Sequence, residues 1–171
     1  MKNLIFLVGY MGSGKTTIGS VLAEKLECKF IDTDDLIEKA HKQSITSLFE
    51  KKGESKFRDI EKETLRQLDS SKKQIIATGG GMPCFRGNMK WMKKEGQTIF
   101  LKMSIDNLQY NLCHGLNTRP LLAGLDPFAV RQKIKSDLIH RNKHYLQADI
   151  VIRNENDVNQ TVNRILNRLK G

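Results

Sequence analysis

Apolar residues along this chain fall into short unbroken runs separated by longer stretches of helical spacing. Residues 4–8, Leu-Ile-Phe-Leu-Val, are apolar at every position. That suits a strand covered on both faces, because a half-exposed strand would alternate. Over residues 15–26 the period changes, and Ile18, Val21, Leu22 and Leu26 recur as on an amphipathic helix. Phe30-Ile31-Asp32 reads as a second short strand. Residues 44–52 and 55–68 read as helices separated by Gly53, a residue suited to ending the first of them. Gln74-Ile75-Ile76-Ala77 predicts a third strand that runs into Thr78-Gly79-Gly80-Gly81, and residues 98–101 predict a fourth. Ser104 can cap a helix reaching about Leu112, while residues 113–124 lack a regular period and read as a loop. Asp126-Pro127 supplies an N-cap followed by Pro at the first helical position, opening a long helix to about Tyr145. Ile150-Val151-Ile152 predicts a fifth strand, and Asp157 can cap a terminal helix carrying Val158, Val162, Ile165 and Leu169.

Strands alternating with helices in this way predict an α/β fold, a mainly parallel five-stranded sheet wrapped by helices on both sides. No internal repeat and no Ser/Gly/Pro linker interrupts the pattern, so residues 1–171 are expected to form a single domain. Ligands of such sheets bind beyond the carboxyl ends of the strands. Polar or Gly-rich segments follow strands one, two and three, so Gly9, Asp32 and Gly79 are expected to converge on one crevice.

Composition narrows the function classes only a little. A chain of 171 residues with 39% hydrophobic residues is long enough to bury roughly 70% of its unfolded surface, so it needs no metal or disulfide staple. No apolar stretch approaches the roughly 20 residues of a membrane span, and residues 1–8 lack the features of a secretory signal. Cys28, Cys84 and Cys113 are odd in number and widely spaced, as expected for free thiols in a reducing cytosol. The net charge of +10 implies an anionic partner without choosing among polynucleotide, nucleotide and small acid. The basic residues are scattered, with no aromatic-interleaved stretch to favour nucleic acid. His41, His114, His140 and His144 have no metal-binding spacing, and Met82, Met89, Met92 and Trp91 read as packing or pocket wall.

The specific chemistry lies in three segments and three arginines. Gly9-Tyr10-Met11-Gly12-Ser13-Gly14-Lys15-Thr16 fits G-x-x-x-x-G-K-[ST] directly after a strand and at the start of a helix. In that context the glycines let successive N–H groups face an anion, the helix N-terminus adds its dipole, Lys15 neutralises terminal phosphates and the Thr16 hydroxyl ligates Mg²⁺. In Asp32-Thr33-Asp34-Asp35, carboxylates two apart on an extended chain point the same way, so Asp32 and Asp34 can both face the crevice, one toward Mg²⁺ through water and one toward an acceptor hydroxyl. The alternative use of an Asp here is to cap the next helix. Three glycines after Thr78 let a ligand approach the backbone closely, although a plain flexible turn has the same composition. Arg58, Arg119 and Arg141 are candidate cations for an anionic acceptor and a phosphoryl transition state, Arg119 more so because it lies in a loop of lid-like length.

At these residues the sequence resembles shikimate kinase over nearly its whole length. Gly9-Tyr10-Met11-Gly12-Ser13-Gly14-Lys15-Thr16 is similar to the family's phosphate loop and Asp32-Thr33-Asp34 to its D-x-D strand end. Gly53-Glu54-Ser55-Lys56-Phe57-Arg58-Asp59-Ile60-Glu61 resembles G-E-x-x-F-R-x-x-E, and Thr78-Gly79-Gly80-Gly81 resembles T-G-G-G. Arg119-Pro120-Leu121-Leu122 resembles the R-P-L-L lid, and Arg141 with Tyr145, Ala148 and Asp149 the R-x-x-x-Y-x-x-A-D ending. Six motifs in the family's order make the resemblance specific.

The resemblance implies a three-layer α/β/α P-loop kinase of the nucleoside monophosphate kinase type, with acceptor-binding helices at about 34–62 and a mobile lid at about 113–126. It implies transfer of the γ-phosphoryl group of ATP to the 3-hydroxyl of shikimate, giving shikimate 3-phosphate and ADP in aromatic amino acid biosynthesis. By the same resemblance Lys15, Asp34 and Arg119 are catalytic, with Asp34 the candidate base. Gly12, Ser13, Gly14, Lys15, Thr16, Thr17, Arg119 and Arg153 bind ATP, and Thr16 and Asp32 hold Mg²⁺. Asp34, Arg58, Gly80, Gly81 and Arg141 bind shikimate, the two arginines gripping its carboxylate. A cytoplasmic monomer with no nucleic-acid or membrane partner is the matching expectation. Many family members carry an Arg seven or eight residues before R-P-L-L that stacks on adenine, whereas this chain reads Tyr110-Asn111-Leu112-Cys113-His114. Adenine packing then falls to His114 or Arg153. Read without the resemblance, the residues also fit a gluconate kinase or a nucleoside monophosphate kinase, or a P-loop module that binds nucleic acid.

Overall fold

The protein, seen in a computed structural model that describes residues 2–114 and 125–170, is organised around a five-stranded sheet. The strands are β1 (Leu4–Val8), β2 (Lys29–Asp32), β3 (Gln74–Ala77), β4 (Gly96–Lys102) and β5 (Ile150–Arg153). Their order is β2-β3-β1-β4-β5 and every pairing is parallel. β1 lies in the middle with all five side chains fully buried. Because strand side chains alternate between faces, Leu4, Phe6 and Val8 join one apolar cluster while Ile5 and Leu7 join another.

Helices cover both clusters. Ile18 and Leu22 of α1 (Lys15–Lys25) pack on the Ile5 and Leu7 face, together with Val162 and Ile165 of α7 (Val158–Lys170). The other face is covered by α2 (Thr33–His41), α3 (Ile45–Arg66), α4 (Asn88–Glu95), α5 (Ile105–His114) and α6 (Pro127–Tyr145). These contribute Ile37, Phe57, Met89, Leu108, Ile134 and Tyr145 among others. Burying an aliphatic or aromatic side chain contributes about 2 kcal/mol, so β1 alone supplies on the order of 10 kcal/mol before the cost of ordering the chain. That explains why an unbroken apolar run marks the centre of the sheet. At the edge the alternation returns: Ile150 and Ile152 of β5 are buried, Val151 and Arg153 exposed.

The caps expected from sequence are formed. Ser104, Asp126 and Asp157 accept backbone N–H bonds from Asn107, Ala129 and Gln160 at 3.2, 2.8 and 2.9 Å. The helical run α3 bends at Gly53 (φ 75°, ψ 166°), which divides it into the two segments that the sequence pattern indicates. Met82, Met89 and Met92 are core residues, and the three cysteines are free thiols.

Three features differ from the sequence reading. The residues after Asp32 do not stay extended but enter α2 at once, because Asp32 Oδ1 accepts the Asp34 N–H at 3.0 Å and acidic residues fill the positive first turn. α4 has only one full apolar repeat, too short to stand out, and is held through Asn88, which donates to Met82 O and accepts from Arg66. α5 runs to His114, so Cys113 and His114 are helical and do not begin a loop. Residues 115–124 of the expected lid, with Arg119, lie outside the described residues, and Asp126 at its far end caps α6. Among the described residues no helix is long and apolar enough to cross a membrane.

Candidate active site

Between β1 and α1 the chain curls through residues 9–14, with Gly12 (φ 78°) and Gly14 (φ 82°) in the left-handed region that side chains disfavour. Four carbonyls of this loop accept from side chains. Lys15 Nζ donates to Gly9 O and Tyr10 O, both at 2.9 Å. Asn111 Nδ2 donates to Gly12 O, and Asn154 Nδ2 to Ser13 O, each at 2.9 Å. With the Gly9, Tyr10, Gly12 and Ser13 carbonyls held by side-chain donors, the loop presents N–H groups and the N-terminus of α1 as a site for anions. Gly12, Ser13, Gly14, Lys15 and the exposed Thr16 and Thr17 all lie on this loop or the first turn of α1. Thr16 Oγ1 donates to Asp32 Oδ2 at 2.8 Å, which pairs a hydroxyl with a carboxylate at the end of β2. Such an all-oxygen donor set suits Mg²⁺.

Beside the loop lies a cavity of ≈ 210 Å³ whose lining includes Asp34, Arg58, Glu61, Gly80, Gly81 and Arg141. The five acceptor residues expected from sequence thus meet in one hollow, although they come from α2, α3, the segment after β3, and α6. The T-G-G-G segment is held by side chains on both flanks. Thr78 Oγ1 donates to Leu7 O at 3.1 Å, Thr33 Oγ1 accepts the Gly79 N–H at 3.0 Å, and the Tyr145 hydroxyl donates to Gly80 O. A Cβ on Gly79 would lie 2.6 Å from Asp34 Oδ1, and one on Gly81 would lie 2.8 Å from Arg58 Nη1. Glycine at these two positions therefore lets Asp34 and Arg58 approach the backbone closely, and a methyl there would displace the ends of those side chains.

The two cavity arginines are held differently. Arg58 donates to Glu61 at 2.7 Å and to Glu54 at 3.2 Å, and its guanidinium carbon stands 4.1 Å from the centre of the Phe85 ring. Burial pushes the Glu61 carboxyl up to about 7, against the pull of Arg58. Arg141 Nη2 donates to Asp137 Oδ2 at 3.3 Å. Burial opposes its charge, but Tyr145 and Asp137 hold the guanidinium above its ordinary value. Cys84 nearby is pushed by burial up to about 11, which keeps it a thiol at neutral pH.

Sequence reasoning assigned no role to Glu61, Thr33, Tyr145, Tyr10 or Asp137. Glu61 and Tyr145 fall inside quoted motifs, so a signal was present for them. Tyr10 and Asp137 meet only in the fold, 127 positions apart. Asp32 caps α2 with one carboxylate oxygen and accepts from Thr16 with the other, so the cap reading holds. The shared direction inferred for Asp32 and Asp34 from an extended chain is corrected: Asp34 reaches the cavity from the first turn of a helix. Arg153 is exposed and lines a separate hollow with Lys102, Met103 and Asn107, next to the Asn154 that supports the phosphate loop. His114 stacks on Tyr110 with ring centres 4.6 Å apart.

A family model described as shikimate kinase matches residues 11–170. The shikimate kinase of Persephonella marina is 42% identical over 171 residues, covering 99% of this chain and 100% of the relative. The crystal structure of shikimate kinase from Bacteroides thetaiotaomicron has a TM-score of 0.96 at 35% identity and covers 100% of both chains. A shikimate kinase from Acinetobacter baumannii, solved in complex with shikimate, has a TM-score of 0.89 at 32% identity over 99% of this chain and 94% of that one.

Proposed function

The chain belongs to the shikimate kinase family and phosphorylates shikimate with ATP, and we propose how its residues divide that work. The observation that carries the reading is the cavity in which Arg58, Arg141 and Asp34 meet beside the phosphate loop. Two guanidiniums give a small carboxylic acid a fixed orientation, since each can fork onto carboxylate oxygens. Asp34 then faces the hydroxyl side of that acid. The acceptor oxygen, taken to be the 3-hydroxyl of shikimate, forms a bond to the γ-phosphorus of ATP. The bond from that phosphorus to the β,γ-bridging oxygen breaks and ADP departs, while the hydroxyl proton passes to an Asp34 carboxylate oxygen. Such a transfer needs little covalent help from the protein beyond alignment and charge neutralisation.

Residues 12–17 hold the polyphosphate through backbone N–H groups, and Lys15 swings from the Gly9 and Tyr10 carbonyls onto the terminal phosphates. Thr16 and Asp32 are the residues to hold Mg²⁺, which when bound offsets charge on the phosphate oxygens. Gly80 and Gly81 offer backbone contacts to the acceptor. Arg119, outside the described residues, is assigned to the transition-state charge, and Arg153 to the nucleotide. We assign the protein to the cytoplasm as a monomer without a nucleic-acid partner, in keeping with its scattered basic residues and free thiols.

The test is an ADP-release assay with a panel of small hydroxy acids and AMP. Turnover is expected with shikimate and little with gluconate or AMP; equal turnover on all three removes the acceptor assignment. A filter-binding titration that retains a polynucleotide specifically near physiological salt overturns the view that nucleic acid is no partner.

A further inference from the structure

We propose that Asp137 is a positioning residue that ties the Arg141 guanidinium to the phosphate loop through Tyr10 and so sets affinity for the acceptor carboxylate. This rests on the assignment of Arg141 to that carboxylate. Asp137 Oδ1 accepts from Lys133 Nζ at 2.7 Å, while Oδ2 accepts from the Tyr10 hydroxyl at 2.8 Å and from Arg141 Nη2 at 3.3 Å. Lys133 and Arg141 stand one helical turn to either side of Asp137 on α6, and pairs of that kind contribute little by themselves. Tyr10 makes this one different. It is 1% exposed and belongs to the phosphate loop. Its carbonyl accepts from Lys15 and from the Ser13 N–H, so the ring hangs from a backbone that is itself fastened.

The guanidinium of Arg141 is bounded on three sides. Its carbon lies 5.2 Å from the centre of the Tyr10 ring, Asp137 takes one nitrogen, and the Tyr145 hydroxyl, which donates to Gly80 O, lies beside it. Asp137 makes shorter bonds to Tyr10 and Lys133 than to Arg141. It therefore orients the arginine without taking up its five N–H donors, and the edge toward the cavity stays available to a ligand. Without Asp137 the buried Tyr10 hydroxyl loses its partner and the arginine loses its link to the loop. The donor loop and the acceptor cation are thereby held in one frame by a carboxylate that touches neither substrate.

Steady-state kinetics of the full-length enzyme with ATP and shikimate, with thermal midpoints recorded alongside, test the proposal. Asp137→Ala is expected to raise the shikimate KM about tenfold and Tyr10→Phe about threefold, with kcat and the ATP KM within about twofold of the parent. Lys133→Ala, which leaves the Tyr10 link in place, is expected to keep the shikimate KM. Adding Asp137→Ala to Arg141→Ala is expected to raise KM no further, because both act through one guanidinium. If Arg141→Ala raises KM while Asp137→Ala and Tyr10→Phe only lower the thermal midpoint, the positioning role is overturned and the site assignment stands. If Arg141→Ala leaves KM unchanged, the site assignment falls and the proposal falls with it. Should Asp137→Ala fail to fold, Tyr10→Phe decides the question, since it removes a single oxygen.

Discussion

Glu61 faces Arg58 at 2.7 Å across one turn of α3 with 2% of its side chain exposed. Burial raises the carboxyl to about 7 and Asp34 adds to the rise, while Arg58 and Arg141 pull it down. The folded protein consequently binds a proton that the unfolded chain releases at ordinary carboxylate pH.

This sets the sign of a pH dependence. The stabilisation from protonating Glu61 is fully present below the ordinary carboxylate range and is lost as pH rises through about 7. It amounts to at most about 3 kcal/mol. Denaturant melts between pH 4.5 and 8 are expected to show this decline, and Glu61→Gln should flatten it. An equal slope in the variant would place the titration elsewhere.

Asp34→Asn should lower kcat by about a hundredfold or more, the usual worth of a positioned general base, while Mg·ATP binding by calorimetry stays unchanged. A near-parental rate removes Asp34 from proton transfer.

The first and last glycines of the T-G-G-G segment should separate two kinetic constants. A methyl at position 79 meets Asp34 Oδ1 at 2.6 Å, whereas one at position 81 meets Arg58 Nη1 at 2.8 Å. Gly79→Ala should therefore appear mainly in kcat and Gly81→Ala mainly in the shikimate KM, each by about tenfold. Because both obstacles are ends of flexible side chains, thermal midpoints should move little. Identical kinetic effects from the two variants would count against the division of roles.

Gly19→Ala in α1 sets helix propensity against packing. Alanine favours the helix by about 1 kcal/mol. Its Cβ would lie 2.5 Å from the Phe30 ring and 3.1 Å from Leu7 Cδ1, however. Overpacking of that kind costs about 1–3 kcal/mol, so a net destabilisation of about 1 kcal/mol is expected in urea melts. A more stable variant would show that Phe30 yields freely.

What the sequence made legible follows from how local each feature is. The phosphate loop is contiguous, its context is a strand and a helix on either side, and residues 9–17 were readable in full. β1 was readable because both its faces are covered. Arg58, Arg141 and Asp34 were each identifiable from motifs, but their meeting in one cavity depends on strand order and helix placement, which no local pattern encodes. The residues after Asp32 were read as extended because that carboxylate does two things, bonding Thr16 and capping the helix, and the spacing alone left the two uses open. The Tyr10–Asp137 bond has no sequence signal, since a tyrosine at a variable loop position and an aspartate on an exposed-looking helix are unremarkable until the fold apposes them.

β1 and β3 are neighbours in register, with Leu7 beside Ala77 and the Thr78 N–H donating to Leu7 O at 3.1 Å. Two residues past that rung come Gly9 and Gly79, the first steps of the two loops. The starting points of the two loops are thus set by the ~4.8 Å pitch between strands, and the sheet acts as a ruler built into the interior. Side chains at positions 58 and 141 can be exchanged for another acceptor while the ruler stays untouched, so a change of taste in substrate need not disturb the strand spacing beneath the two loops.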